Sequence, residues 1–331
     1  MSDDLRHGGA LDRVASQFPT APLPWIDLST GINPWPWPAE QADPETFFRL
    51  PTQSDIDRCR VAMADAFSGP VSGVTLVPGT EIAIRLLPKV LNPKTVAVLS
   101  PTYGDHAESW RVAGVKLIET TDPLKHADIA DVVVVCNPNN PDGQCFDTDR
   151  LMDARNRLAQ RGGWLIVDEA YAELSPGRSL GAHAGSEGLI VLRSTGKFFG
   201  LPGLRLGAAL VPSNLADALE QLLGVWRISG PALEIGTQAY SDVRWQQATR
   251  RRLVSARQRL DAILNECHEV TGGTDLFRYV SVGNAHEKWY QLCKHGIYTR
   301  RFEWSRSHLR IGLPATPEAE ARLRLAMSLE R

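Results

Sequence analysis

Lys197 lies in the segment RSTGKFFGLPGLRLG, residues 193–207, with Ser194, Thr195, Gly196 and Gly200 around it and Arg205 eight positions on. It is one of only seven lysines, against 29 arginines. An amine set between glycine and two phenylalanines, just after an apolar run, suits a desolvated position. Desolvation lowers a lysine's pKa and makes the amine nucleophilic toward carbonyls. A phosphate-binding P-loop is excluded, because Val191 and Phe198 stand where that motif needs glycine and Ser or Thr. The alternative is a solvated surface lysine.

Three further segments carry polar chemistry at the ends of apolar runs. VDEAY (167–171) closes one with Asp168, Glu169 and Tyr171. A carboxylate at a buried strand end must be paired or poised. It could cap a helix, hold a metal, or face a pyridinium nitrogen, as in pyridoxal phosphate enzymes. CNPNNPDGQ (136–144) is either a plain Pro/Asn/Gly turn or a ligand loop. PGTEIAIRLL (78–87) puts Gly79, Thr80 and Glu81 at a helix start, where free N–H groups and the helix dipole favour a phosphate. Tyr103 in SPTYGDH reads as core or as a ring stacked on a flat cofactor.

The elements that must position these groups alternate regularly. VTLV, TVAVLSP (95–101), VKLIET (115–120), DVVVVCNP (131–138), WLIVDEAY (164–171), LIVLRS (189–194) and LGAALVP (206–212) read as strands. Helical spacing follows Gly79 and recurs over 147–161. This alternation predicts an α/β fold, a mostly parallel sheet between helices, with ligands beyond the carboxyl ends of the strands. From about 231 to 266 the pattern is helical and Arg-rich; short strands (278–282, 297–302, 308–312) and a helix (317–329) follow, predicting a smaller α+β domain. The expected division is an N-terminal arm over 1–40, a large domain over 41–230 and a small domain over 231–331 that part of the arm can join. INPWPWP (32–38) cannot be helical, because its prolines remove donors and force extended backbone. Trp25, Trp35, Trp37 and Phe47 make it an arm that packs on something.

Composition narrows the classes. The 331 residues carry 36 basic and 38 acidic side chains, a net charge of −2 with no basic block, which argues against nucleic acid or an anionic membrane as partner. No apolar run reaches the roughly 18 residues of a membrane helix, and the acidic start MSDDLRHGGA is no signal peptide. Five cysteines (59, 136, 145, 267 and 293) without a C-x-x-C pair read as reduced thiols in a cytoplasmic protein, with no metal expected.

In this order, N-P-x-N-P-x-G, D-E-A-Y and S-x-x-K with G-L-R-L-G resemble the fold-type I pyridoxal phosphate enzymes, the aspartate aminotransferase superfamily, over about residues 5–327. The resemblance implies pyridoxal 5'-phosphate as cofactor, carried by Lys197 as a Schiff base. It implies that Asp168 binds the pyridine nitrogen, that Asn140 and Tyr171 bond the phenolic oxygen, and that Tyr103 stacks on the ring. Gly79, Thr80, Ser194 and Arg205 would hold the phosphate, with Glu81 opening the same helix; Arg310 in HLRIGLP would clamp a substrate carboxylate. Within the superfamily, His7-Gly8-Gly9 and the run Asp27-Leu28-Ser29 to Ile32-Asn33-Pro34 resemble the threonine-phosphate decarboxylase group more than its histidinol-phosphate aminotransferase relatives. That implies decarboxylation of L-threonine O-3-phosphate, a small phosphorylated amino acid, in cobalamin biosynthesis; transamination of histidinol phosphate or an aromatic amino acid is the alternative. His7, Gly8, Asn33 and Arg300, with Asn140, are the candidate contacts to substrate. The resemblance also implies a homodimer. Two positions depart from it: Asp142 replaces the usual Thr, and Leu50 replaces a Tyr that in many relatives reaches the neighbouring subunit's cofactor.

Overall fold

The computed structural model describes residues 8–39 and 42–329. The chain divides into two units. A large one comprises Pro36–Asn140 and Gln144–Trp245; a small one comprises the residues up to Trp35, Pro141–Gly143 and Gln246 onward.

In chain order the small unit comes first, with α1 (Leu11–Gln17) and the three-residue β1 (Ile26–Leu28). The large unit follows with α2 (Gln53–Phe67), β2 (Val74–Val77), α3 (Thr80–Leu91), β3 (Thr95–Leu99), α4 (Asp105–Val112) and β4 (Lys116–Thr120). It continues with β5 (Val132–Cys136), α5 (Thr148–Ala159), β6 (Trp164–Asp168), β7 (Leu189–Ser194), β8 (Gly207–Leu210), α6 (Ser213–Leu223) and α7 (Gly230–Ser241). α8 (Val243–Leu264) leads back into the small unit, which adds β9 (Glu269–Thr274), β10 (Phe277–Ser281), α9 (Ala285–Lys294), β11 (Ile297–Phe302), β12 (Ser305–Gly312) and α10 (Pro317–Ser328).

The large unit's sheet has the order β2-β8-β7-β6-β5-β3-β4. It is parallel from β7 to β4, and β8 runs antiparallel to both its neighbours. All five residues of β5 are buried, so both faces of the sheet are covered, as a continuous β-branched run requires. One face packs Val132, Val134, Ile166, Ile190 and Leu192 against Ala83, Ile84 and Leu87 of α3 and Trp110 of α4. Each valine, leucine or isoleucine there contributes roughly 1.5–3 kcal/mol by leaving water.

The division between units differs from the expected one at the C-terminal end of the large unit. α7 belongs to the large unit, not to the small one that was placed from residue 231. Its Ala232, Leu233, Ile235, Gly236 and Ala239 are buried. A Cβ at Gly236 would meet Leu206 at 2.3 Å and the Cys59 sulfur of α2 at 3.3 Å, so the helix lies tight against its neighbours. The single helical pattern over 231–266 is in fact two helices, broken at Asp242. At the other end, residues 8–35 fall in the small unit, which part of the arm could join. β1 pairs in parallel with β11, completing a small-unit sheet of order β1-β11-β12-β10-β9. The packing expected of the tryptophans is present within each unit. Trp35 donates to the Ala315 carbonyl at 3.1 Å and lies under Arg252, and Trp37 is buried and donates to Asp242 at 3.3 Å. Phe47 is 68% exposed instead.

Candidate active site

In the large unit, β5, β6 and β7 end side by side. The register sets Cys136 beside Asp168 and Asp168 beside Leu192, so Asp168 occupies the middle of the sheet's carboxyl edge. It is 5% exposed. Its Oδ1 accepts from the Ala170 N–H at 3.1 Å and its Oδ2 lies 2.9 Å from Nε2 of His106. A carboxylate only accepts, so the imidazole carries its proton on Nε2. The thiol of Cys136, within 4.8 Å of both partners, is pushed well above its usual value by burial and then by the charge of Asp168. It therefore remains a protonated S–H facing the carboxylate. The His106 imidazole and a backbone N–H thus fix how Asp168 points, with the Cys136 thiol packed beside it. Sequence reading missed His106 and Cys136 as partners of this carboxylate. They are 62 and 32 positions away, and only the folded chain brings them together.

His106→Gln at this position keeps volume but offers a neutral amide in a different place. The expected result is a fall in turnover of about tenfold to hundredfold, the worth of one hydrogen bond to a charged group. Unchanged turnover in a variant with the wild-type melting temperature would contradict the orienting role.

Tyr171 is buried one turn after β6, at the start of a short helical turn over Ala172–Leu174. Tyr103 stands edge-on to His106, with ring centroids 6.1 Å apart. Its phenol is raised by burial and by the adjacent Asp105, so it stays protonated. After β5 the turn is held by its own amides. Asn137 exchanges hydrogen bonds with the backbone of Phe146 at 2.8 and 3.3 Å, and Asn139 accepts from Thr102 at 2.6 Å and donates to Pro101 at 3.1 Å. Asn140, half-buried, follows at the tip of this braced loop.

A second register builds an anion cradle. Ser194 pairs with Gly207, and Gly207 pairs with Val77. This row brings the end of β7 beside the turn into α3. Gly79 caps α3 at φ +82°, with no side chain satisfying the first-turn N–H groups. A Cβ there would sit 2.8 Å from the guanidinium end of the flexible Arg205 side chain, which could shift, so it is the positive φ that calls for glycine. Arg205 also lies 3.7 Å from Glu81, which pairs with Arg85 at 3.1 Å. The carboxylate of Glu81 is thus directed to arginines, and its N–H is what it offers an anion. Helical N–H groups, the hydroxyls of Thr80 and Ser194 and a guanidinium form a donor set that fits a phosphate. Lys197 lies beyond Ser194 in the turn after β7, half-buried, with Phe198 and Phe199 fully buried behind it.

The small unit holds a cationic site of its own. Arg310 on β12 faces Arg300 on β11 on one side and Tyr279 on β10 on the other. Directly opposed residues share a sheet face, and opposed like charges repel. Burial, then the charge of Arg310, lowers the Arg300 guanidinium to about 10, which leaves it charged at neutral pH. An anion would relieve that repulsion. Arg310, 6% exposed, donates to the carbonyl of Ser29. The Ser29 hydroxyl accepts from the Gly9 N–H at 2.8 Å and donates to Asp27 at 2.6 Å. A Cβ on Gly8 would meet the Ser29 carbonyl at 2.4 Å, so only glycine fits. The Gly-Gly step and the Asp-Leu-Ser segment, read separately in the sequence, thus meet next to Arg310. Asn33 is buried and accepts from the Trp35 N–H at 3.0 Å, holding the turn that follows. His7 lies outside the described residues.

The family model for Aminotransferase class I and II matches residues 24–328. The chain belongs to the class I and II aminotransferase family. It is 40% identical over 326 residues to a threonine-phosphate decarboxylase of Pseudomonas aeruginosa, covering 98% of this chain and 97% of that one. It is 30% identical to histidinol-phosphate aminotransferase 1 of Haemophilus influenzae, over 80% and 72% of the two chains. The solved histidinol-phosphate aminotransferase of Clostridium acetobutylicum shares the fold, with a TM-score of 0.82 at 19% identity, covering 91% of this chain and 98% of that one.

Proposed function

We propose that this chain is a pyridoxal-phosphate-dependent lyase that decarboxylates L-threonine O-3-phosphate to (R)-1-amino-2-propanol O-2-phosphate, a step of cobalamin biosynthesis. The observation that carries the reading is the whole-chain 40% identity to a threonine-phosphate decarboxylase, against 30% over four-fifths of the chain for an aminotransferase. When bound, pyridoxal phosphate supplies an electron sink for charge developing at the substrate's α-carbon.

The chain's own residues then have distinct tasks. The cradle of Gly79, Thr80, the Glu81 N–H, Ser194 and Arg205 holds the cofactor phosphate. Asp168, oriented by His106, keeps a proton on the ring nitrogen. Tyr171 and Asn140 hold the phenolic oxygen, and Tyr103 lies against the ring. Lys197 binds the cofactor through its amine and, once released, returns a proton to the α-carbon. Arg310 takes the substrate carboxylate, and Arg300, with His7, Gly8 and Asn33, takes the substrate phosphate. Two opposed arginines suit a substrate that carries two anionic groups.

Arg310→Lys keeps the charge but loses the two-pronged fork. The expected result is a KM for phosphothreonine raised about tenfold to hundredfold, while cofactor affinity stays at the wild-type value. A KM that does not move removes Arg310 from the substrate site. Decarboxylation needs no oxo-acid acceptor, whereas transamination does. Turnover that stops without 2-oxoglutarate would favour the aminotransferase reading instead.

A homodimer accounts for Phe47, Phe48 and Leu50, which lie 68%, 81% and 61% exposed in the single chain. Sedimentation of the purified protein as one chain would contradict it.

A further inference from the structure

Behind the cofactor-facing edge lies a cluster of charges that the proposed chemistry does not use. Glu169, Glu173 and Arg193 are 1%, 4% and 2% exposed. Arg193 sits between the two carboxylates. Nη1 donates to Glu169 at 3.1 Å, and Nη2 donates to Glu173 at 2.7 Å. Nη1 also donates to the Ser179 hydroxyl at 2.8 Å, which in turn donates to Glu169 at 2.5 Å. The other oxygen of Glu169 accepts from the Leu180 N–H at 2.7 Å. The guanidinium is backed by the ring of Phe67, 4.2 Å from its centroid.

Stability alone is a poor reason for such a cluster. Removing three charges from water is costly, and apolar residues of similar volume usually serve folding as well or better. What charged forks add is geometric registration. Their placement in the chain is informative in this respect. Glu169 directly follows Asp168, and Tyr171 stands between Glu169 and Glu173. Arg193 directly precedes Ser194 and is four residues before Lys197. One guanidinium therefore ties the segment after β6, from residue 169 to 180, to the end of β7.

We propose that Arg193, Glu169 and Glu173 are positioning residues: a buried clamp that sets the spacing between Asp168 and Tyr171 on one strand end and Ser194 and Lys197 on the next. The proposal rests on the pyridoxal phosphate reading of those four residues. A misplacement of about 1 Å at such a site can cost on the order of a hundredfold in rate.

The test compares wild type with the triple variant Glu169→Gln, Glu173→Leu, Arg193→Met and with the single variant Arg193→Lys. Melting temperature is read on the cofactor-free proteins, and the dissociation constant for pyridoxal phosphate is read by quenching of intrinsic fluorescence. The clamp predicts a triple variant that melts at or above the wild-type temperature yet binds cofactor at least about tenfold more weakly. Arg193→Lys, whose single ammonium cannot fork to both carboxylates, is expected to fold and to lose at least about threefold in cofactor affinity. It decides the matter if the triple variant does not fold. Wild-type cofactor affinity in folded variants overturns the clamp alone. Wild-type protein that binds no pyridoxal phosphate overturns the cofactor reading, and the clamp with it.

Discussion

Lys197→Ala is expected to yield a folded protein that carries no covalently held cofactor and has lost turnover by about 10⁴-fold or more. The size of the effect follows from what the residue does. An amine that both bonds the cofactor and moves a proton at the α-carbon contributes to two steps, and water replaces it poorly in either. The fold does not depend on it. Lys197 is half-buried in a turn whose packing rests on the buried Phe198 and Phe199 behind it. Melting temperature should therefore stay near the wild-type value while the visible absorbance of the bound cofactor disappears. Retained absorbance after dialysis would show that another amine carries the cofactor. Only six other lysines exist in the chain, so the alternatives are few.

The second large effect is expected at Asp168. Asp168→Asn keeps the shape of the side chain but removes the negative charge opposite the ring nitrogen, and with it the reason for that nitrogen to remain protonated. The loss in kcat is expected to reach about a thousandfold, the scale on which preorganised charge acts in a buried site. Cofactor capture should be affected far less, because the phosphate cradle at Gly79, Thr80, Ser194 and Arg205 is built from other strands. A split of this kind, with kcat falling while the cofactor dissociation constant changes only several-fold, separates an electronic role from a packing role. Equal losses in both would indicate that Asp168 mainly supports the site mechanically.

Much of this was legible in the sequence, and the exceptions share a cause. The Val132–Val135 run stopped by Asn137-Pro138 identified a doubly covered strand, and every large-unit strand read from an apolar run is present. Local signals sufficed there, because a buried parallel strand needs no partner to be recognised. β1 was missed, since three residues hold no period; it exists because it pairs with β11, some 270 positions later. The boundary after α7 was misplaced for a similar reason. Composition changes near residue 231, but burial against α2 and Leu206 assigns the helix to the large unit. At the site, Lys197, Asp168 and the Gly79 helix start were marked by residue type and by position after strands. The residues that orient them were not. His106 and Cys136 around Asp168 act through contacts across the fold. Nothing in their immediate sequence distinguishes them from packing residues.

The proposed reaction turns on the fate of one bond at the substrate's α-carbon. Phosphothreonine labelled with ¹³C in its carboxyl group, incubated with the cofactor-loaded enzyme in the absence of any oxo acid, tests it directly by carbon NMR. The label is expected to leave the substrate and appear as bicarbonate, in step with formation of the amino-propanol phosphate. Label retained in an oxo acid once an acceptor is added, with no bicarbonate, would contradict it.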